Sequence, residues 1–310
     1  MSQEIIIPFD ENIVRLPSCL TVHKQLRFGL NQFTTEEYAS LMQKLCETKQ
    51  SRICGIVRKD GLETIVLALA FYRAHPTTYE GIRFEVYDLT VDEKERNHGL
   101  GTRLLQDLIR QAKECGAPSL VLQCDLTNTD AHRFFFRHGL GISSFTFYLD
   151  KIVQGKTQDQ IKIVDISDLA KNEDILSRTE DVLQQFGPGL SSDETAYADQ
   201  IRNICQTGPA HMLVAISNDE KKDVLGVAIY RLSHHLKYSQ FIYCDDLITD
   251  ENKRSLGVGR ALMNAMKHEA ERLGLNRIAL DSDCQQGRAH KFYHREGFRI
   301  DQFEMTIIFK

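Results

Sequence analysis

The chain has 310 residues, of which 42% are hydrophobic and 26% charged, and its formal net charge is −5 at pH 7. This composition is that of a soluble globular protein rather than a disordered or collagen-like chain, and the length predicts two domains. The acidic balance provides no attraction to nucleic acid or to an anionic membrane, and the longest apolar run, 65–72, is far shorter than the roughly 20 residues that cross a bilayer.

The apolar pattern predicts the same series of elements twice: antiparallel strands, then a strand, a loop, a helix and another strand. Residues before Phe33 show no clear pattern, and the first series starts near Leu45 and closes with the strand FTFYLDK. The second series consists of the strand IKIVDI, the helix ILSRTEDVLQQF, a helix within GPGLSSDETAYADQIRNIC, the paired strands MLVAIS and VLGVAIYRL, the strand QFIYCDDLIT, the helix GVGRALMNAMKHEAERLG, the strand RIALDSD, the short helix AHKFYHREG and the strand MTIIFK. Each copy therefore predicts an α/β fold with a mixed, mostly antiparallel sheet and helices on both faces.

The two series are copies of one sequence. An offset of 158 residues places Asp88 on Asp246, and the alignment runs without a gap from about Arg52 to the end of the chain. This spacing is too long for a solenoid unit and indicates a duplicated domain. We predict an N-terminal domain at 1–151, a polar linker at 152–160 and a C-terminal domain at 161–310.

Each copy has a loop of the form R-x-x-G-x-G between a strand and a helix. Glycines let the main chain approach a ligand closely, and the following helix adds the positive end of its dipole, so the loop is suited to a pyrophosphate. A tight turn that needs glycine only for packing is the alternative, and a dinucleotide fingerprint is excluded because the third glycine of G-x-G-x-x-G is missing. The loops comprise Arg96, Asn97, His98, Gly99, Leu100, Gly101 and Thr102 in the first copy, and Arg254, Ser255, Leu256, Gly257, Val258, Gly259 and Arg260 in the second.

These loops, each followed by A-H-[RK]-F, resemble the signature of the GNAT superfamily of N-acetyltransferases, [RQ]-x-x-G-x-[GA] and then N-x-x-A-x-x-[FL]-Y-x-x-x-G-F. The resemblance covers nearly all of the second copy and the first copy from about Arg52. It implies two tandem domains with splayed sheets, one acetyl-coenzyme A site in each, and direct acetyl transfer to an amine. It also implies that the loops hold the pyrophosphate and that main-chain groups hold the pantetheine arm at Leu89, Thr90, Val91, Leu247, Ile248 and Thr249.

The two copies differ where the family has a tyrosine that protonates the leaving thiolate. The second copy has Tyr293 and the first has Phe135. A phenol can return a proton to a thiolate and a phenyl ring cannot, although packing under the sheet would explain either residue. The family's asparagine is present as Asn128 in the first copy and replaced by Gln286 in the second. The second copy is the better candidate catalyst.

An amine acceptor is mostly protonated at pH 7, so a base or a bound water must remove its proton. Asp245 and Asp246 lie on the strand before the second loop, in a D-D-L that resembles the E-D-L of polyamine acetyltransferases, and alternation predicts that only one lines the cleft. Asp281 and Asp283 would add negative charge that attracts a cationic amine. Solvated or capping carboxylates are the alternative. In the first copy, Glu85 has the register of the general base of lysine acetyltransferases in this family.

The sequence therefore predicts an N-acetyltransferase that acts on a primary amine, with a small cationic amine favoured and a protein lysine or N-terminus also open. A CoA-binding scaffold or regulatory module without turnover is the alternative. His290 and His294 lack a third ligand, so no metal site is expected. We expect eight free thiols, no nucleic-acid or membrane partner, a cytoplasmic or nuclear location, and either a monomer that is an internal pseudo-dimer or a homodimer.

Overall fold

The computed structural model describes residues 3–47, 51–153, 155, 160–185, 189–207, 210–236 and 239–310. The strands are β1 Gln3–Pro8, β2 Ser51–Asp60, β3 Glu63–Thr77, β4 Gly81–Val91, β5 Ser119–Asp125, β6 Gly141–Leu149, β7 Ile161–Asp165, β8 Ala210–Ser217, β9 Val224–His235, β10 Ser239–Thr249, β11 Ile278–Asp283 and β12 Arg299–Ile308. The α-helices are α1 Glu11–Val14, α2 Pro17–Leu26, α3 Thr35–Cys46, α4 Leu100–Glu114, α5 Thr129–Arg137, α6 Glu173–Leu176, α7 Glu180–Gln184, α8 Glu194–Thr207, α9 Val258–Arg272 and α10 Gly287–Arg295.

These strands form one continuous sheet in the order β1-β2-β3-β4-β5-β12-β6-β11-β10-β9-β8-β7. The pairs β4–β5 and β10–β11 are parallel, and the other neighbouring pairs are antiparallel. Helices cover both faces in each half. The prediction of a mixed, mostly antiparallel sheet in two similar halves is confirmed.

The two halves exchange their last strands. In the C-terminal half, β12 pairs with β5 of the N-terminal half, with Met305 opposite Leu122. Conversely, β6 of the N-terminal half pairs with β11, with Phe147 opposite Leu280. The boundary predicted at 152–160 thus divides the sequence but not the sheet, and residues 154 and 156–159 of that linker lie outside the described residues.

The core follows from the amphipathic helices. In α4, Leu104, Leu105 and Leu108 are fully buried against the sheet, and α9 buries Leu262 and Met266 in the same way. The segment predicted as one helix at 175–186 is instead α6, a 3₁₀ turn and α7. There the Thr179 hydroxyl donates to the carbonyl oxygen of Leu176 at 2.6 Å, and such local side-chain bonds compete with a regular helix. All eight cysteines are free, as predicted.

Each half has a gap in its sheet at the same place. Only three residue pairs join β4 to β5, and only three join β10 to β11, before the parallel strands separate. A β-bulge lies directly after each paired region, at Tyr87 in β4 and at Asp245 in β10, which the register with the neighbouring strand skips. The loops with two glycines follow these strands, so the gap, the bulge and the loop form one site in each half.

Candidate active site

The loop after each gap has a main chain that is shaped for an anion. Asn97 and Gly99 have φ of 67° and 81°, and Ser255 and Gly257 have φ of 68° and 84°. Gly99 and Gly257 are also the N-caps of α4 and α9, and neither helix start has a capping bond from a side chain. The first amide N–H groups of both helices are thus free to bind an anion, which the helix dipole also favours.

The second glycine of each loop faces an aromatic ring of a neighbouring helix. A Cβ at Gly101 would lie 3.4 Å from Cζ of Phe134 on α5, and one at Gly259 would lie 3.5 Å from Cζ of Phe292 on α10. These are ordinary van der Waals distances, so a Cβ would fit and packing alone does not require glycine at this position. The first glycine, in contrast, is needed for its left-handed conformation.

Side chains of the loops contribute little that converges on the anion position. Arg96 and Arg254 are exposed, together with Asn97, His98, Ser255 and Leu256, and Leu100 and Val258 are buried anchors of their helices. The Thr102 hydroxyl is hydrogen-bonded to His138 Nε2 at 3.0 Å, and Arg260 donates to Glu296 at 2.8 Å. The main-chain amides are therefore the groups of the loops that are best placed to bind an anion.

A contact missed in the sequence fixes the start of each loop. The side-chain oxygen of Gln25, on α2, accepts a hydrogen bond from the backbone N–H of Glu93 at 2.9 Å. Gln185, directly after α7, accepts from the N–H of Glu251 at 3.0 Å. Helical segments on one face of the sheet thus hold both loops, and no local pattern reveals a partner more than 60 residues away.

The bulge corrects the prediction that Asp245 and Asp246 point to opposite faces. Cys244 and Leu247 both pack in the core under α9, so the two residues between them share the other face. Simple alternation fails because the bulge adds one residue to β10 without a partner in β9. Both carboxyl groups therefore line the same side of the gap.

Asp246 has the environment expected of a base. Its side chain is buried, Oδ2 accepts a hydrogen bond from the Thr78 hydroxyl at 2.8 Å, and Oδ1 has no partner among the described residues. Burial, and then the charge of Asp245, raise the pKa of Asp246 to about 7. Asp245 itself accepts from Arg231 Nε at 2.6 Å in a buried ion pair. Asp246 is thus a carboxyl group that can take up a proton near neutral pH.

The equivalent aspartate of the N-terminal half, Asp88, is held in a buried ion pair. Asp88 is buried, accepts from Arg27 Nε at 2.6 Å and is hydrogen-bonded to His23 Nε2 at 2.9 Å. A carboxylate in a buried ion pair is stabilised in its charged form and is a poor proton acceptor. The same position thus has a different electrostatic environment in the two halves.

Tyr293 is buried beside the gap of the C-terminal half. Its ring centroid lies 5.3 Å from that of Phe147, on the exchanged strand β6, and 5.9 Å from that of Phe298. Burial raises the pKa of Tyr293, and the nearby Cys244 and Asp246 add to the effect, so the hydroxyl keeps its proton at neutral pH. Phe135 fills the equivalent position in the other core.

A polar cleft lies between the halves on the face of Asp245. It is lined by Arg73, His75, Glu85, Tyr87, Gln123, Arg231, Ser233, Phe241, Tyr243 and Asp245. Burial raises the pKa of Glu85, and burial and Glu304 raise that of Asp281, while Arg83 pairs with Glu304. The cleft is therefore not simply acidic, because buried arginines accompany the carboxyl groups.

Other predicted residues have structural partners. Asn128 caps α5 by accepting from the N–H of Ala131 at 3.2 Å, and Gln286 forms no such cap. His290 and His294 are bonded to the carbonyl oxygens of Asp283 and Phe298. The described residues contain no group of three or more potential metal ligands. Among the described helices, none has the length and apolar character needed to cross a membrane.

The raised pKa of Asp246 predicts a pH-dependent stability. Since the pKa is about 7 in the folded chain and 3.8 in the reference state, ionisation destabilises the fold as pH rises from about 4 to about 7. Asp246→Asn removes this penalty and keeps an oxygen for Thr78, so we expect it to raise the free energy of unfolding at pH 8 by up to about 4 kcal/mol. Urea denaturation at pH 5 and pH 8 measures the difference, and an equal effect at both values would contradict it.

Comparison with known proteins agrees with this geometry. The sequence profile of the acetyltransferase (GNAT) family matches residues 22–141 and 176–298, one match in each half. An uncharacterized N-acetyltransferase of Bacillus subtilis strain 168, YhdJ, is 30% identical over 100 residues, which are 32% of this chain and 69% of that protein.

Two solved structures are similar over nearly the whole chain. A GCN5-related N-acetyltransferase from Sphaerobacter thermophilus has a TM-score of 0.59 at 14% identity, with 98% of this chain and 95% of that chain covered. A tandem GNAT protein from the clavulanic acid biosynthesis pathway has a TM-score of 0.58 at 11% identity, with 99% and 98% covered. At these identities the similarity shows the fold, which extends over both halves.

Proposed function

The chain belongs to the acetyltransferase (GNAT) family and is an acyltransferase, and on that basis we propose that its C-terminal half transfers acetyl from acetyl-coenzyme A to a primary amine. The observation that carries the proposal is the pairing, in one half only, of a buried carboxyl group with an unbonded oxygen and a buried phenol. The N-terminal half has an ion-paired aspartate and a phenylalanine at the same two positions.

The residues of both loops fit the diphosphate of coenzyme A. Left-handed main chain at Ser255 and Gly257 turns amides toward one point, and the start of α9 has no side-chain cap in their way. We assign the diphosphate to 254–260 and 96–102, and the pantetheine arm to the main chain of 247–249 and 89–91 at the edges of the gaps. When bound, the thioester supplies the activated acetyl group. Asn128 already caps α5, and we assign it no role in binding coenzyme A.

The proposed reaction uses two residues, Asp246 as a base and Tyr293 as a hydrogen-bond donor. Asp246 Oδ1 accepts a proton from the ammonium form of the acceptor, which leaves the amine free to attack the acetyl carbon. As the C–N bond forms, the C–S bond breaks, and the second proton lost by the nitrogen passes to the departing thiolate. Tyr293 donates a hydrogen bond to the sulfur as negative charge develops there. Because the pKa of an ordinary thiol is about 8.5 and that of Tyr293 is raised above 10, complete proton transfer from the phenol is uphill. Tyr293 therefore acts chiefly as a hydrogen-bond donor in its neutral form.

The N-terminal half is the better candidate for binding without turnover. Its loop has the same main-chain conformation as the C-terminal loop. Asp88 is held by Arg27 and His23, and Phe135 has no proton to donate. We propose a coenzyme A site there with a structural or regulatory role.

The charges of the cleft indicate which kind of amine is the acceptor. Arg73 and Arg231 are buried in the lining of the cleft, and while burial raises the pKa of Glu85, the buried Arg83 lies close enough to Glu85 to oppose that rise. Because Arg231 pairs with Asp245 and Arg83 pairs with Glu304, the charges of these carboxylates are already balanced and offer little attraction for the several charges of a polyamine. We therefore propose a monoamine as the acceptor, and a panel of monoamines, polyamines and lysine peptides in a thiol-release assay tests this choice.

Tyr293→Phe tests the phenol. We expect kcat to fall by about 100-fold or more with little change in KM for acetyl-coenzyme A, because the hydroxyl acts only as charge develops on sulfur. The thiol-release assay measures both constants. Phe135→Tyr is the matched variant and should not create activity in the N-terminal half, because Asp88 remains in its ion pair. Full activity of Tyr293→Phe would remove the assigned role.

A further inference from the structure

The turn between β3 and β4 reaches from the N-terminal half into the C-terminal active site. Thr78, in this turn, is buried and donates from Oγ1 to Asp246 Oδ2 at 2.8 Å across 168 residues of sequence. A Cβ at Gly189 would lie 2.5 Å from the carbonyl oxygen of Thr78, so the turn packs tightly against the C-terminal half. This tight packing fixes the position of the Thr78 hydroxyl against the carboxyl group.

The described residues contain no pseudo-symmetric contact. Offset by 158 residues, the counterpart of Thr78 is Leu236, which packs against the core of the N-terminal half and has no side-chain donor. Asp88, the counterpart of Asp246, is held by His23 and Arg27 of its own half instead. The hydroxyl is thus supplied only to the aspartate that has a free second oxygen.

We infer that Thr78 is a positioning residue for the C-terminal active site, supplied by the other half of the chain. The inference rests on the proposed function, in which Asp246 is the base. A hydrogen bond to Oδ2 prevents rotation of the carboxyl group and leaves Oδ1 as the oxygen that meets the acceptor. Because the hydroxyl donates, it also stabilises the charged form of the carboxyl group.

The other charged and titratable groups around Asp246 have defined partners or are neutral. On its own strand, Asp245 is paired with Arg231 of β9, and burial raises the pKa of Cys244. Burial also raises the pKa of Tyr293 on α10 and of Tyr79 in the turn, so these phenols stay neutral near pH 7. The proton on Asp246 is therefore governed by burial, by Asp245 and Arg231, and by the Thr78 hydroxyl.

Thr78→Val, which keeps the shape of the side chain but removes the hydroxyl, tests the inference in the full chain. We expect the acidic limb of the pH profile of kcat/KM to move up by about one pH unit, which is about a fivefold loss at pH 7 and little loss near pH 9. Thr78→Ser, which keeps the hydroxyl, should have the acidic limb of the wild-type profile. Leu236→Val, at the pseudo-symmetric turn, should leave the limb unchanged. Thr78→Ala provides a second hydroxyl-free variant if the valine impairs folding.

Two outcomes separate this inference from the proposed function. If Asp246→Asn is inactive while both hydroxyl-free variants keep the wild-type limb, or lose activity equally at every pH, the role of Thr78 is overturned and the base assignment stands. If Asp246→Asn is fully active, both are overturned. A shifted limb in the valine and alanine variants that serine restores supports the inference.

Discussion

Replacing Asp246 with asparagine is expected to lower kcat by about 100- to 10,000-fold while binding of acetyl-coenzyme A is retained. Asparagine has nearly the same shape and can still accept a hydrogen bond from Thr78, but it cannot accept a proton from the acceptor. The side chain is buried on the face of the gap opposite α9, away from the loop assigned to the diphosphate. Steady-state kinetics by thiol release, with calorimetry for binding, measures the two effects separately.

The wild-type pH profile provides a second measurement of the same group. With a pKa of about 7 for Asp246, kcat/KM should rise with pH and reach half its plateau near pH 7, since the base must be ionised. In Asp246→Asn the residual activity should lose this limb. Glu85→Gln changes the residue that the sequence predicts as the base of the N-terminal half and should leave most turnover intact. If Glu85→Gln lost activity and Asp246→Asn retained it, catalysis would take place in the N-terminal half, contrary to our proposal.

The repeat explains which parts of the site could be predicted from the sequence. The loops recur in the same strand-to-helix context, so the sequence alone places Gly99 and Gly257 at helix starts. In the structure both glycines have a left-handed conformation. Tyr293 and Phe135 could be compared at one aligned position. Local patterns suffice for these features because each depends on a short stretch of chain.

The exchange of β6 and β12 could not be predicted, because a sheet with exchanged strands and a sheet without exchange satisfy the same apolar pattern. Phe147 in β6 and Met305 in β12 are equivalent at the offset of 158, and each packs in the core of the opposite half. Either strand would bury the same face if it stayed in its own half. The bulge at Asp245 and the contact from Thr78 escaped prediction for a related reason, since each depends on a neighbouring strand or on residues far away in the chain.

Because the two halves exchange strands, each contributes residues to the other, which two independently folded copies could not do. The C-terminal half has two residues with proposed roles in the reaction, the hydrogen-bond donor Tyr293 and the base Asp246. Tyr293 packs against Phe147 and Asp246 is bonded by Thr78, and both partners come from the N-terminal half. The C-terminal half without these partners would lose one strand of its sheet and both contacts. If the N-terminal half has no turnover of its own, as we propose, it is still needed to build the proposed active site of the other half.

Gly257→Glu is expected to abolish acetyl transfer by removing cofactor binding from the C-terminal half. Gly257 has φ of 84°, where a side chain costs about 1–2 kcal/mol, and a carboxylate at the start of α9 would occupy and neutralise the position assigned to the diphosphate. We expect the affinity of that half for coenzyme A to fall by more than about 100-fold, from lost contacts and from repulsion between like charges. Calorimetry should show the binding stoichiometry fall from two to one.

Gly99→Glu is the matched control because Gly99 has φ of 81° and begins α4 in the same way. It should also reduce the stoichiometry from two to one, yet turnover should persist, since Asp246 and Tyr293 lie in the other half. The pair of variants therefore separates binding from catalysis within one chain. Activity that survives Gly257→Glu but not Gly99→Glu would assign the reaction to the N-terminal half and would leave Asp246 without a substrate.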